Sequence, residues 1–341
     1  MLTVTSNKAQ LIDLIVEDIV SHKIDFQTHK LVVTGSDPVP LEIEGGQMNK
    51  RPDMTTTQEE GDTLIIQQVS RVQTGTVLVV ADDTDIFVLL LHFCHLGKIT
   101  SHVLMVSPIH GRTVLDVNAA VEEHKSIIPD LLAAHGLTGC DTVASYFGIG
   151  KAVALKALRT GKYKLDLVGN MESEVTDVID QSTKFMLACY GQPNCQSLTE
   201  ARQKAWSSKI GRSKATAPKL CSLPPTTEAF KANVARAHLQ VGVWRRSLEA
   251  CPAAIDPTAH GWSRDVASGA LVPTIVVPVN TPLVPPELLT LIKCTCHSQN
   301  PCSTQRCSCK KASMACTQFC SCQGGGTCQN DHQDVVDDAD D

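Results

Sequence analysis

The chain has 341 residues, 43% of them hydrophobic, and a net charge of −6. It contains no apolar run of the roughly 18 residues that a membrane-spanning helix requires. These figures argue against a membrane span and a wholly basic nucleic-acid coat, and allow one large domain or two ordinary ones. The N-terminus carries Lys8, Asp13, Glu17 and Asp18, where a secretory signal needs an unbroken apolar stretch, so a soluble, intracellular protein is expected. Fifteen cysteines in a reducing compartment point to metal or reactive thiols in place of disulfides.

Residues 1–58 hold one expected helix, Gln10 to Val20, and one expected strand, Lys30 to Thr34. From residue 59 the pattern reads as α/β. Thr63 to Val72 has apolar positions at helical spacing. Thr76 to Ala81 and His102 to Ser107 are short apolar runs rich in β-branched residues, which suit strands buried on both faces. Ile127 to Ala134 reads as a helix, as does Ala144 to Leu158, interrupted by Gly148 and Gly150. Alternating helices and strands favour a parallel sheet covered on both sides. Residues 171–250 read as mainly helical, and the prolines at 273, 278, 282, 285 and 286 as an extended linker.

Three acidic clusters stand out: Glu59, Glu60 and Asp62 at the start of a helix; Asp82, Asp83 and Asp85 after the strand TVLVVA; and Asp141 before a glycine-rich turn. In open α/β sheets ligands bind outside the carboxyl ends of the strands. Carboxylates gathered there repel one another, and Mg²⁺ or Mn²⁺, which prefer oxygen ligands, relieve the repulsion. Two such ions about 4 Å apart activate water and stabilise the leaving oxygen of a phosphodiester. Any one cluster is also explained as a helix N-terminus, where carboxylates are favoured anyway. Downstream, Gly148 and Gly150 precede a helix bearing Lys151 and Lys156, a layout that lets backbone N–H groups approach phosphate. It is not a complete P-loop, because Ala152 follows the lysine.

Taken in order, Glu60-Gly61-Asp62, Asp82-Asp83-Thr84-Asp85, Gly139-Cys140-Asp141 and Gly148-Ile149-Gly150-Lys151 resemble the internal region of flap-endonuclease/XPG-type nucleases, a branch of the PIN-like fold. The resemblance spans about 100 residues. It implies a PIN-like parallel sheet flanked by helices and a structure-specific, two-metal nuclease. Glu60, Asp62, Asp83, Asp85 and Asp141 would be the metal-binding carboxylates. Gly148, Gly150, Lys151 and Lys156 would grip the backbone of duplex DNA. Only 58 residues precede Glu59, so the front of the domain is expected to be incomplete, and Asp37 is a poor substitute for the acidic residue the family carries there. A catalytically inactive DNA-binding or chromatin-associated protein with the same fold is the alternative reading.

The last segment holds Cys294, Cys296, Cys302, Cys307, Cys309, Cys316, Cys320, Cys322 and Cys328. Thiolates are ligands of structural zinc, four to each ion. Nine do not divide into separate tetrahedral sites, but six terminal and three bridging thiolates supply the twelve bonds that about three zinc ions need. Few apolar residues lie between them, so metal stands in for a hydrophobic core. Cys307-Ser-Cys-Lys-Lys311 and Cys316-Thr-Gln-Phe-Cys-Ser-Cys322 resemble the CXC domain of tesmin-type proteins. That resemblance implies a DNA partner and a nuclear location, with Lys310 and Lys311 placed for phosphates. A purely stabilising or protein-contacting zinc cluster is the other reading. Nuclease-like region plus cysteine tail is a layout similar to transposon-related animal proteins. The expected domains are 1–58, a remnant of the nuclease-like domain; 59–170, its core; 171–290, helices and linker; 291–330, the zinc domain; and 331–341, an acidic, disordered tail.

Overall fold

The computed structural model describes residues 5–109, 111, 113–207, 220–275, 293–312, 314–317, 320–324 and 326–330. It forms two compact units, residues 1–276 and 277–341. The first is mixed α/β with small sheets and several helices; the second is a cysteine cluster.

Unit one opens with helix α1 (Thr5–Ser21), longer than the periodicity suggests. An antiparallel meander follows: β1 (Leu31–Val33), β2 (Leu41–Glu44) and β3 (Gln47–Lys50). The β2–β3 turn is Gly45-Gly46, both with positive φ, which is the two-residue hairpin that matches strand twist.

Helix α2 (Gly61–Arg71) leads into β4 (Thr76–Val80), helix α3 (Thr84–His95) and β5 (His102–Val106). Strands β4 and β5 are parallel, with Thr76 opposite His102 and Val80 opposite Val106. Strand β6 (Leu115–Asp116) pairs with β5 antiparallel and closes a three-stranded sheet in the order β4-β5-β6. The expected PIN-like parallel sheet is therefore not seen. Only residues 107–114 join β5 to β6, and a parallel crossover takes a dozen residues or more. Nor is β4 covered on both faces: Val79 is buried while Leu78 and Val80 are 57% and 61% exposed. An unbroken apolar run does not distinguish these cases.

After the sheet come α4 (Val117–His124), which packs on β5, and then α5 (Ile128–Leu137), α6 (Lys151–Leu158), α7 (Val175–Cys189), α8 (Leu198–Ser207) and α9 (Thr227–Arg245). Helices α3 and α5 are apolar nearly all round, which is the mark of a helix in the middle of a core. Helix α5 packs on both α3 and α9. The helix expected from Ala144 starts only at Lys151. Residues 140–149 instead make two tight bridges, Cys140 with Val143 and Tyr146 with Ile149, and Gly148 has φ 76°. A hairpin of β7 (Trp262–Arg264) and β8 (Leu271–Pro273) ends the described part of the unit, so Pro273 closes a strand. The other four linker prolines and the acidic tail lie outside the described residues. No described helix is long and apolar enough to cross a membrane.

Among its described residues, unit two has one helical turn, Ser308–Lys311. Its buried core consists of cysteines, seven fully buried and Cys296 and Cys322 packed against them.

Candidate functional sites

Four of the five acidic residues sit at helix starts, and the fifth follows the end of a helix. Glu60 is the N-cap position of α2 and Asp62 lies in its first turn. Asp83 caps α3, its Oδ1 accepting the Asp85 N–H at 2.8 Å. Asp141 is exposed just beyond α5. A crevice of about 460 Å³ at the carboxyl ends of β4 and β5 is lined by Asp82, Asp83 and Thr84 among others.

These segments meet. The Asp62 carboxyl is pushed up to about 6, first by burial and then by the negative charges of Asp83, Asp85, Glu60 and Asp141. All five carboxylates named from the sequence therefore share one field. They are not yet a ligand shell: among the described residues, three or more ligand atoms within 4.8 Å of one another occur only among the thiols.

Two residues that the sequence does not single out hold the acids in place. His135, buried in α5, sets Nε2 2.6 Å from Asp85 Oδ1. Its other neighbour is the Trp244 ring, 5.8 Å between centroids. Gln240 of α9 donates Nε2 to both Glu60 oxygens at 3.0 and 3.2 Å, and its Oε1 accepts the Thr142 hydroxyl at 2.7 Å. His135 directly follows the apolar run that marks α5, which is a faint signal. Gln240 gives none.

Lys151, expected on phosphate, turns inward. Its ammonium donates to His135 O at 2.7 Å, to Thr138 Oγ1 at 3.3 Å and to Gly139 O. Those acceptors use its three donors, and burial lowers its pKa. It braces the last carbonyls of α5. Lys156 is exposed. Gly139 of the Gly-Cys-Asp motif has φ 112°, and a Cβ there would meet Ser145 Cβ at 2.7 Å, so this position needs glycine. Cys140 is half-buried and burial raises its thiol, which fits a packing residue better than a nucleophile.

In unit two, the closest sulfur–sulfur contacts run from Cys294–Cys302 and Cys309–Cys320 at 3.5 Å to Cys294–Cys316 at 3.9 Å, and the sulfurs of each set of four that fits one ion lie within 4.8 Å of one another. Tetrahedral bonds of about 2.3 Å to zinc put sulfurs about 3.8 Å apart, whereas a disulfide needs about 2.05 Å. Three sets of four thiols each fit one ion: Cys294, Cys309, Cys316 and Cys320; Cys294, Cys302, Cys316 and Cys322; and Cys294, Cys296, Cys302 and Cys307. Cys294 belongs to all three, and Cys302 and Cys316 to two each. Cys328 is buried in the same core outside these sets.

The backbone is shaped to this cluster. Cys302 takes φ 69°, rare for a side chain other than glycine. Gly324 has φ 60°, and a Cβ on it would meet Cys316 O at 2.7 Å. N–H groups point at sulfur: Lys310 N to Cys307 Sγ at 3.5 Å and Thr317 N to Cys320 Sγ at 3.4 Å. Burial pushes the Cys294 thiol up to about 12 and Cys309 to about 11. Cys307 goes the other way, to about 6: burial opposes the thiolate, but the Lys310 N–H and hydrogen bonds from Cys302, Cys316 and Cys294 outweigh it. A bound divalent cation would deprotonate the rest. The donor set, spacing and burial fit zinc. Lys311 is exposed, while the Lys310 ammonium donates to Ser303 O at 3.2 Å.

Comparison with protein-family models, curated proteins and solved structures gives no match to this chain. The resemblances to flap-endonuclease/XPG-type nucleases and to CXC domains rest on the quoted motifs.

Proposed function

We propose that this chain is a DNA-binding protein with a metal-dependent phosphodiesterase core and a zinc-cluster tail. The observation that carries the first half is the shared field on Asp62, built by acids from three separated segments. Such a field is unfavourable alone and favourable around divalent cations. Mg²⁺ or Mn²⁺, when bound, would supply an activated water and charge stabilisation for the leaving oxygen. Glu60, Asp62, Asp83, Asp85 and Asp141 would hold the ions. His135 and Gln240 fix the orientation of Asp85 and Glu60, so that the carboxylates need little rearrangement. The N–H groups of Gly148 and Gly150, with exposed Lys156, offer contacts to a phosphate backbone. Lys151 serves this surface by bracing its loop.

For the tail, the overlap of the three thiol sets supports about three zinc ions sharing Cys294, Cys302 and Cys316; with Cys328 taking the place of Cys294 in one set, those three thiolates each bridge two ions and the other six are terminal. Lys311 and Lys310 lie beside that cluster for DNA phosphates. A nuclear location follows from the DNA partner.

A second reading is an inactive DNA-binding protein. Its support is that three of the acids already have partners: Asp83 caps α3, Asp85 pairs with His135 and Glu60 with Gln240. The purified chain incubated with flap and duplex DNA and Mn²⁺ separates the two. Cleavage that disappears in Asp83→Ala and Asp141→Ala establishes the enzyme, and binding without cleavage establishes the inactive reading. Metal analysis should give about three zinc per chain; one or none would sink the bridged cluster.

A further inference from the structure

Beside Glu60 lies a cavity of about 700 Å³ that the carboxylate chemistry does not account for. Glu60, Thr142 and Gln240 line it, so it adjoins the acidic site directly. Much of the remaining wall is apolar, including Ile255 and the half-buried indole of Trp262. Two guanidinium groups also line it. Arg236 lies over the Trp262 ring, 5.9 Å from its centroid, and is fixed by Gly261 O at 3.0 Å and Asn233 Oδ1 at 3.1 Å. Arg246 donates Nη1 to Ala253 O at 3.0 Å, while its buried Nε makes no hydrogen bond among the described residues.

This combination selects a ligand class. An indole and apolar walls suit a flat heteroaromatic ring. Guanidinium suits a phosphate. The size falls within the range of about 300–1,000 Å³ for small-molecule sites, too small for duplex but sufficient for one nucleotide. Glu60 sets the polarity, since a phosphate beside it would be repelled in the absence of a cation. We propose that the cavity binds a single unstacked nucleotide of a DNA strand, its base toward Trp262 and its phosphate toward Arg246. The neighbouring phosphodiester then falls at the Glu60 edge. That last placement rests on the hydrolytic reading; binding of the nucleotide does not.

Calorimetric titration of the full chain with dAMP and with ribose 5-phosphate tests this without any cleavage step. The expected result is saturable dAMP binding with no added Mg²⁺ or Mn²⁺. Trp262→Ala should weaken it roughly 5- to 150-fold, the range that stacking on an aromatic side chain supplies. Arg246→Gln should weaken both ligands, and Trp262→Ala should leave ribose 5-phosphate unchanged. No dAMP binding, or equal binding by parent and a folded Trp262→Ala, overturns the proposal. Should Trp262→Ala fail to fold, photo-crosslinking of a 5-iododeoxyuridine strand to the unaltered chain decides instead. Attachment at Trp262 supports the site, and attachment elsewhere removes it. Binding of dAMP without DNA cleavage sinks only the hydrolytic reading; cleavage without dAMP binding sinks only this one.

Discussion

His135 and Asp85 form the tightest buried pair beside the acidic site, at 2.6 Å. Removing the imidazole leaves a mostly buried carboxylate without its donor, which costs about 1–3 kcal/mol. His135→Ala should therefore lower the urea midpoint, and His135→Gln, which keeps a nitrogen donor on a similar reach, should recover much of the loss. Equal midpoints for His135→Ala and the parent would show that Asp85 does not depend on this bond. Asp62 gives a second test, through pH. Its folded pKa of about 6 lies above the unfolded value of about 3.9, so the folded chain holds that proton more tightly. The resulting stabilisation is full below about pH 4 and is lost as pH rises through about 6. His92 and His238 act oppositely. Burial first, then Arg245 and His95 for His92, and His260 and Arg245 for His238, push both down to about 4. Their contribution is absent below about pH 4 and grows toward pH 6.5. The parent curve mixes the two signs, and the comparison with Asp62→Asn isolates the carboxyl. Asp62→Asn should gain stability relative to the parent between pH 4 and 6 in buffer without Mg²⁺ or Mn²⁺, read as urea midpoints. A difference that stays flat over that window would place Asp62 outside any repulsive field.

Helix α9 carries Gln240 to Glu60, and its seating depends on close backbone approaches. A Cβ on Gly169 (φ 83°) would lie 2.4 Å from Val241 Cγ1 and 2.9 Å from the Val241 carbonyl carbon; one on Gly136 would lie 2.7 Å from Val241 Cγ2. Gly169→Ala should combine about 1–2 kcal/mol for the left-handed backbone with about 1–3 kcal/mol for overpacking. Gly148 also has positive φ, 76°, but nothing lies within 4 Å of its Cβ position. Gly148→Ala should show the backbone part alone. Denaturant unfolding of both variants checks the contrast, and equal losses would mean that α9 shifts to accommodate the methyl. How far such elements can be read from sequence depends on their signals. Strands β4 and β5 were legible as short β-branched runs, and α2 from its apolar spacing. Helix α3 was not, because Ile86–Leu91 is apolar without a period; its one cue is Asp83 as a cap. Residues 144–149 suggested helix by composition, yet Gly148 needs positive φ. The five acids were legible as motifs: four sit at a helix start, and Asp141 lies in the turn after α5. Their holders were not: Gln240 lies 180 residues from Glu60, and no local pattern encodes a pairing at that separation. The inward turn of Lys151 was hidden for a related reason, as its acceptors, two backbone carbonyls and the Thr138 hydroxyl, come together only where α5 ends.

At the scale of the whole molecule, the two units are held together internally by different forces. Unit one has a continuous apolar core running from Ile66 to Trp244 through α3, α5, α7 and α9. Unit two has thiols where that core would be, and burial first, then neighbouring cysteines, drive several of them toward the neutral form. Its folding free energy must then come largely from metal, as in small zinc domains that unfold without it. Zinc removal by a strong chelator at neutral pH should therefore act on one unit. Amide hydrogen exchange over residues 293–330 should lose its protection. Protection in α3, α5 and α9 should stay, and the main thermal transition should move by less than about 2 °C, which for a unit of this size is under about 1 kcal/mol. Re-adding zinc should restore the tail and release protons, because most of its thiols must ionise to bind. Acidification should release the metal for the same reason: protons compete for every ligand. A tail that keeps its exchange protection after complete zinc removal would mean that thiol packing alone holds it. Loss of protection in α3 together with the tail would mean that unit one draws stability from the cluster. Only selective loss in residues 293–330 agrees with a metal-built domain beside a self-sufficient α/β unit.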